Sequence, residues 1–458
     1  MGLGGVSVAS DYPEVSKDEL EKILNSLKNR FQNGDYPDYK ERIDRINRLK
    51  LLVEENSEDF HKALQNDFGT RHEQLSLLSD TLPIIASAKH VSKNLSKWMK
   101  PEKRKPNFPL GLLGAKAFIH NQPYGVVGII SPWNFPLNLS LGPLVEVFAA
   151  GNNSMMKLSE FVPETSDLTE KLVKQYFRED EVVVINGGPQ TSQSFAGLAF
   201  DHLLFTGSTH IAKKIAYEAS ENLVPLTLEL GGKSPVIVGP KAKMKKSVDK
   251  IMMGKLLNAG QICISPDYVF LPEGKENEFV EHAKSYVQES YETLKNNPDY
   301  TSIIHLNHYE RLRSYISDAK SKGAEIVEIN PANEDLAQQE HHKIPPTLIL
   351  NPTDDMEVMK NEIFGPILPV MSYKNFDETI KYVNHNPKAL ALYYFGDDTK
   401  EVDDLLNKTS SGQLVTNDVL FQFSMHDLPF GGVGPSGSGS YHGYDGYRNF
   451  SHKRAVLK

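Results

Sequence analysis

A chain of 458 residues and 51.3 kDa exceeds what one hydrophobic core normally holds, so two or more domains are expected. A formal charge of −9 and a pI near 6.0 argue against nucleic acid or an anionic membrane as the main partner. The single cysteine, Cys263, excludes an intramolecular disulfide and any CxxC metal site, and fits a reducing compartment.

The opening MGLGGVSVASDYPEVSKDEL has no basic stretch followed by a long apolar one. No run of the chain approaches about 18 apolar residues. No membrane anchor is therefore expected, and the expected location is cytoplasmic. The first hundred residues read as helical. Ser16 with Glu19 forms a capping box, and Leu20, Ile23, Leu24, Leu27 and Phe31 then share one face until Gly34. A second helix carries Ile43, Ile46, Leu49 and Val53, and a third carries Phe60 and Leu64. Asp67-Phe68-Gly69 spells a kinase tripeptide, but no other kinase signature accompanies it.

From about residue 115 the pattern changes. Short apolar runs at Val126 to Ile130, Ser154 to Leu158, Val182 to Asn186, His202 to Phe205 and Leu226 to Leu230 suit buried parallel strands. Residues 137–150, 164–177 and 209–220 are long enough for crossover helices, so a doubly wound α/β sheet is expected. A second α/β region follows from about 231 to 425, with strands at Val236 to Val238, Tyr268 to Leu271 and Ile367 to Val370. The basic run at 241–250 reads as a solvated face. Residues 103–123 and the glycine-rich tail from 430 fit neither pattern and are candidates for an extra pairing element.

Functional loops of such a sheet sit at the carboxyl ends of its strands. There Asn134, in SPWNFP, is either a turn residue or an amide donor to a developing oxyanion. Glu229, in TLELGG, is either an outward strand residue or a desolvated general base. TGSTHIAKK places Ser208 at a helix start suited to a phosphate. The letters GxGxxG at Gly432, Gly434 and Gly437 are rejected as a dinucleotide fingerprint, because that motif needs a strand before it and a helix after it. Cys263 itself, in NAGQICISPDY, is either an inert core thiol or a nucleophile supplied with a base and a donor. No clustered His/Cys spacing or HExxH for a metal is found.

The series SPWNFP, AAGNNSMMKLSE, FTGST, TLELGGKSP, NAGQICI, NEIFGP and LPFGGVGPSG, in that order, resembles the aldehyde dehydrogenase superfamily from about residue 20 to the end. GQICISPDY, HDLPFGGVGPSG and SYHG with FSHKR resemble its class 3 branch, and within it the coniferyl aldehyde dehydrogenases. The resemblance implies Cys263 as nucleophile, Glu229 as general base and Asn134 as oxyanion donor. It implies cofactor contacts at Trp133, Lys157, Glu160, Thr206, Gly207, Ser208, Glu362 and Phe364. The implied fold is a Rossmann-type NAD(P)-binding domain at 1–102 and 124–230, an α/β catalytic domain at 231–425, and a small oligomerisation arm at 103–123 and 426–458, which pairs subunits into a homodimer.

The implied reaction is NAD(P)-dependent oxidation of an aldehyde to its carboxylic acid through a thiohemiacetal and a thioester. The implied substrate is an aromatic, coniferaldehyde-like aldehyde or a medium- to long-chain aliphatic one. Glu229 favours water over coenzyme A as acyl acceptor, and Glu160 leans towards NAD, with NADP open. A nicotinamide-independent cysteine thioesterase or esterase is the alternative. Three positions depart from the family pattern: Leu158 for proline in KLSE, Ala212 for the second glycine of the phosphate turn, and Ser438 for a common methionine. Leu137, Leu141, Phe421 and Phe423 are candidate substrate walls.

Overall fold

The computed structural model describes residues 12–34 and 36–458. The first eleven residues of the expected cofactor domain lie outside the described residues. The expected helices form as Lys17–Gln32, Tyr39–Glu55 and Ser57–Phe68. Ser16 Oγ accepts the Glu19 backbone N–H at 3.3 Å, and Asp38 does the same for Glu41 at 2.9 Å, each satisfying an otherwise open donor of the first turn. Asp67-Phe68-Gly69 is a helix end, and Asp67 caps the next unit by accepting the N–H groups of Glu164 (3.0 Å) and Thr165 (2.9 Å).

The five expected strands form one sheet as Val126–Ile130, Asn153–Lys157, Val182–Ile185, His202–Thr206 and Leu226–Glu229, all parallel. Val126–Ile130 sits between Asn153–Lys157 and His202–Thr206, so the strand order reverses there and opens a crevice at the carboxyl ends. A sixth, two-residue strand, Gly437–Ser438, pairs antiparallel with Leu226–Glu229. The glycines at 432–437 thus belong to a sheet edge, and the short helix Gly443–Asn449 starts only after a further loop.

A second sheet has seven strands in the order Glu325–Glu328, Thr347–Leu350, Ile367–Tyr373, Tyr268–Pro272, Pro235–Val238, Ala391–Phe395 and Gln413–Thr416. Only Glu325–Glu328 is antiparallel to its neighbour. Four of these seven strands were not anticipated: TLIL and ALYYF are continuous apolar runs without alternation, EIVE lies at an edge, and QLVT is only partly buried. The basic run at 241–250 leads into the helix Met244–Leu256, with Lys241, Lys243, Lys245 and Lys246 exposed.

The two segments that fitted neither pattern meet in a third sheet, where Glu102–Arg104, Ala117–Pro123 and Ser451–Leu457 pair antiparallel. Its connecting loop exposes Phe108 (85%), Leu112 (80%) and Leu113 (78%). The helix Gly443–Asn449 packs on Asn138–Ala150, closely enough that a Cβ at Gly446 would lie 2.5 Å from Glu146 Cγ. Among the described residues, no helix is long and apolar enough to cross a membrane.

Candidate active site

The chain reaches Cys263 through a strained turn. After Met244–Leu256 it takes positive φ at Asn258 (+51°), Ala259 (+51°) and Gly260 (+74°). A Cβ at Gly260 would lie 2.3 Å from the Gly365 carbonyl oxygen, so only glycine fits. Such conformations cost about 1–3 kcal/mol each for non-glycine residues and persist only where neighbours enforce them. Gln261, fully buried, does so. Its Nε2 donates to the carbonyls of Asn258 and Ser302, both at 3.0 Å, and its Oε1 accepts from Ile304 N at 3.0 Å.

Cys263 itself is half-buried and free. Burial, with the carboxylates of Glu362 and Glu229, pushes its thiol up to about 12, while the backbone N–H groups of Cys263 and Ile264 oppose the rise by donating to it. The thiol of the substrate-free protein is therefore protonated and partly shielded, unlike an inert core cysteine only in what surrounds it.

Asn134 lies just past Val126–Ile130 and is buried. Its Nδ2 donates to the Gln261 carbonyl at 3.1 Å, which places the amide two residues from Cys263. Its own carbonyl accepts from Arg71 Nη1 (2.8 Å) and Asn258 Nδ2 (3.3 Å). Arg71 in turn forms an ion pair with Asp80, both side chains fully buried. Asp80 Oδ1 accepts the N–H groups of Leu137 (3.2 Å) and Asn138 (3.3 Å) at the start of the helix Asn138–Ala150. One buried charge pair thus pins both flanks of the asparagine, a network that no local motif in the sequence announces.

Glu229 ends its strand and is buried, not turned outward. Neither carboxylate oxygen has a hydrogen-bond partner, and burial raises its pKa well above the ordinary carboxylate value. Thr206 stands opposite it in the strand pairing, and its buried Oγ1 is also unpartnered. Gly207 N donates to the Glu229 carbonyl at 3.0 Å, and a Cβ at Gly207 would run into the Phe205 ring at 2.5 Å. Ser208 is the N-cap of Thr209–Ser220, its Oγ accepting from Ile211 N at 3.4 Å.

Glu362 acts electrostatically on the Cys263 thiol, and Phe364 follows Glu362 by two residues. The Trp133 and Phe364 rings meet edge to face at 5.4 Å, with Phe364 at φ +50°. Glu362 leans over Gly231, where a Cβ would lie 2.0 Å from Glu362 Oε1, and accepts a hydrogen bond from the Gly232 N–H. Burial pushes the Glu362 carboxyl up to about 7. Lys233 ties this turn to the Glu362 loop by donating to the carbonyls of Val358 (2.7 Å) and Asn361 (3.0 Å). Lys157 and Glu160 form their own pair, 3.5 Å apart, at the end of a neighbouring strand. Lys157 is buried, and its Nζ donates to the Leu158 carbonyl at 2.6 Å.

The three departures have separate outcomes. Leu158 donates its backbone N–H to Ile185 at 3.3 Å, a bond that proline cannot make. Ala212 packs in the core of the first sheet. Ser438 is exposed and paired with Leu228, and nothing in the structure explains the substitution. Of the candidate substrate walls, Leu137 and Leu141 are fully buried in the core, and Phe421 is 53% exposed beside Lys250. Phe423 packs on Phe430 and His442 at 4.9 and 4.8 Å.

A thiol, an amide and an unpaired buried carboxylate thus lie at the carboxyl ends of an α/β sheet whose strand order reverses. The model of the aldehyde dehydrogenase family matches residues 6–456, and the chain belongs to that family. It is 50% identical to the probable coniferyl aldehyde dehydrogenase of Caulobacter vibrioides, over 99% of this chain and 93% of that protein. It is 45% identical to the coniferyl aldehyde dehydrogenase of a Pseudomonas species, strain HR199, over 100% of this chain and 93% of that one. The solved substrate-bound AldH of Staphylococcus aureus superposes with a TM-score of 0.90 at 34% identity, covering 96% of this chain and 94% of that one. The protein is an aldehyde dehydrogenase.

Proposed function

We propose that this enzyme oxidises an aromatic, coniferaldehyde-like aldehyde to its carboxylic acid with NAD. The observation that carries the chemistry is the convergence on Cys263 of the Asn134 amide, through Gln261, and the unpaired Glu229 carboxylate. The substrate class rests on the two relatives whose names specify coniferyl aldehyde.

The Cys263 thiol gives up its proton to solvent and its sulfur bonds to the aldehyde carbon as the carbonyl π bond opens, and the resulting oxyanion is held by the Asn134 Nδ2–H and the Cys263 backbone N–H. A nicotinamide bound beside Cys263 would supply the hydride acceptor that oxidation to the thioester requires. Glu229 then takes a proton from water, whose oxygen adds to the acyl carbon and releases the acid and the Cys263 thiolate. The orphaned Thr206 hydroxyl, the glycine-lined approach at Gly207 and Gly231, and the open helix start at Ser208 fit a dinucleotide in the crevice. Trp133, Glu362 and Phe364 would hold its nicotinamide half beside Cys263. Lys157 and Glu160 would take the adenosine ribose, where the Glu160 carboxylate accepts from a ribose hydroxyl and repels a 2′-phosphate.

Residues 1–102 and 124–230 are assigned to the cofactor domain, 231–425 to the catalytic domain, and 103–123 with 426–458 to an arm that pairs two copies in the cytoplasm. A nicotinamide-independent hydrolase gains less support, because the side-chain charges acting most on Cys263 are carboxylates and no imidazole is among them. Reduced-nicotinamide absorbance with NAD or NADP, across coniferaldehyde, benzaldehyde, hexanal and decanal, tests the proposal. The expected ranking is NAD over NADP and coniferaldehyde first. A preference for decanal would move the substrate to the aliphatic class, and no reduction with any aldehyde would overturn the reaction.

A further inference from the structure

One buried polar group near the thiol is unused by this reaction. Tyr441 is 2% exposed, and its hydroxyl has no hydrogen-bond partner among the described residues. Its backbone is held rigidly, exchanging two 2.9 Å hydrogen bonds with Phe430. Its chain segment is bound to the active-site sheet as well, because Gly437 pairs with Glu229 in register. The charges that act on the phenol are those of Glu229 first, then Cys263, then Glu146. On its flank the ring of His442 lies 4.7 Å away, and burial holds that imidazole neutral at about 3.

Glu229 presents the complementary deficiency. It is a buried carboxylate with two acceptor oxygens and no donor, and burial raises its pKa well above the ordinary carboxylate value. A donor to either oxygen would favour the ionised form that accepts a proton from water. Tyr441 supplies one buried O–H with no acceptor. A buried donor without an acceptor and a buried acceptor without a donor, coupled electrostatically, are complementary.

We propose that Tyr441 is a positioning residue for the base of this site, its hydroxyl donating a hydrogen bond to the Glu229 carboxylate in the state that deprotonates water. The inference rests on the reading of Glu229 as that base. During deacylation the water oxygen bonds to the acyl carbon, the water proton moves to Glu229, and the C–S bond breaks to return the Cys263 thiolate. Tyr441 keeps its own proton throughout, and burial favours that neutral form. Glu146 stands behind it as a second buried acid, with Oε1 accepting from Ser87 (3.1 Å) and Gly443 N (3.3 Å) and Oε2 unpartnered. Burial first, and the neighbouring Glu229, Cys263 and Glu146 after it, raise the phenol's pKa.

Ester hydrolysis tests this without any nicotinamide. With p-nitrophenyl acetate, the burst reports acylation of Cys263 and the steady phase reports deacylation through Glu229. Tyr441→Phe preserves the ring, so its burst amplitude and thermal melt should match the wild type. Its steady rate at pH 7 should fall about tenfold or more. The acid limb of that phase should move up by ~1–2 pH units, the effect of one lost hydrogen bond to a charged group. Glu229→Gln, run alongside, should abolish the limb. A burst in both proteins with an unmoved limb overturns the Tyr441 role alone, as does a reduced burst with an unmoved limb, which marks a packing role. No burst in the wild type overturns the reading of Cys263 and this inference with it.

Discussion

Cys263, Glu229 and Glu146 show how burial sets chemistry at the level of single residues. Cys263→Ser should remove dehydrogenase turnover while NAD still binds, as checked by reduced-nicotinamide absorbance and by calorimetric titration of NAD. Glu146 sits on a helix that is buried along its whole length, and desolvation pushes its carboxyl up to about 7. Its folded pKa lies above the unfolded value of 4.5, so the folded state binds the proton more tightly. Below the unfolded value both states are protonated and the group contributes nothing. As pH rises through the window to about 7, the unfolded state ionises first and stability is lost. Glu146→Gln should therefore melt like the wild type near pH 4 and be more stable above pH 7, by up to about 3 kcal/mol from the size of that shift. Equal melting of the two proteins at both pH values would contradict the burial of an ionisable proton there.

The element that decides activity is the turn from Asn258 to Gln261. Three consecutive positive φ angles are held by the Gln261 amide and by close contact with Gly365. Gly260→Ala would bring a methyl against the Gly365 carbonyl and place it in a backbone conformation it resists. The expected result is a stability loss of about 2 kcal/mol or more and a fall in turnover of at least tenfold, read from a denaturant melt and steady-state kinetics. Unchanged kinetics would mean that the turn does not position Cys263. The buried Arg71–Asp80 pair plays the matching part on the Asn134 side, and removing one partner would strand the other charge without water.

For the whole molecule, the small antiparallel sheet and its loop stand out. Phe108, Leu112 and Leu113 lie in a loop between Glu102–Arg104 and Ala117–Pro123, and each is more than three-quarters exposed. The homodimer proposed above would cover these apolar side chains with a second copy of the chain. The double variant Leu112→Asp and Leu113→Asp should fold and shift the light-scattering mass from dimer to monomer. A wild-type protein that is already monomeric would contradict pairing through the arm.

Much of this was legible from local sequence. The parallel strands of the first sheet, their crossover helices and the polar residues at the strand ends follow from short apolar runs and the residues after them, because a buried parallel strand needs such a run and its carboxyl end needs a turn. The family membership was legible in seven ordered motifs. Less visible were Thr347–Leu350 and Ala391–Phe395, whose unbroken apolar runs carry no period to separate strand from helix. Charge and family pattern alone could not say that Glu229 would be buried without a partner, that Gln261 would bridge Asn258 and Ser302, or that Gly437 would pair with Glu229 in a two-residue strand. Those facts depend on segments far apart in the chain. Local residues determine which elements form and which chemical groups are present, because backbone preference and hydrophobic patterning act over a few residues. Only the packed structure decides which groups lose water and which find a partner, because solvation is set by every neighbour in space.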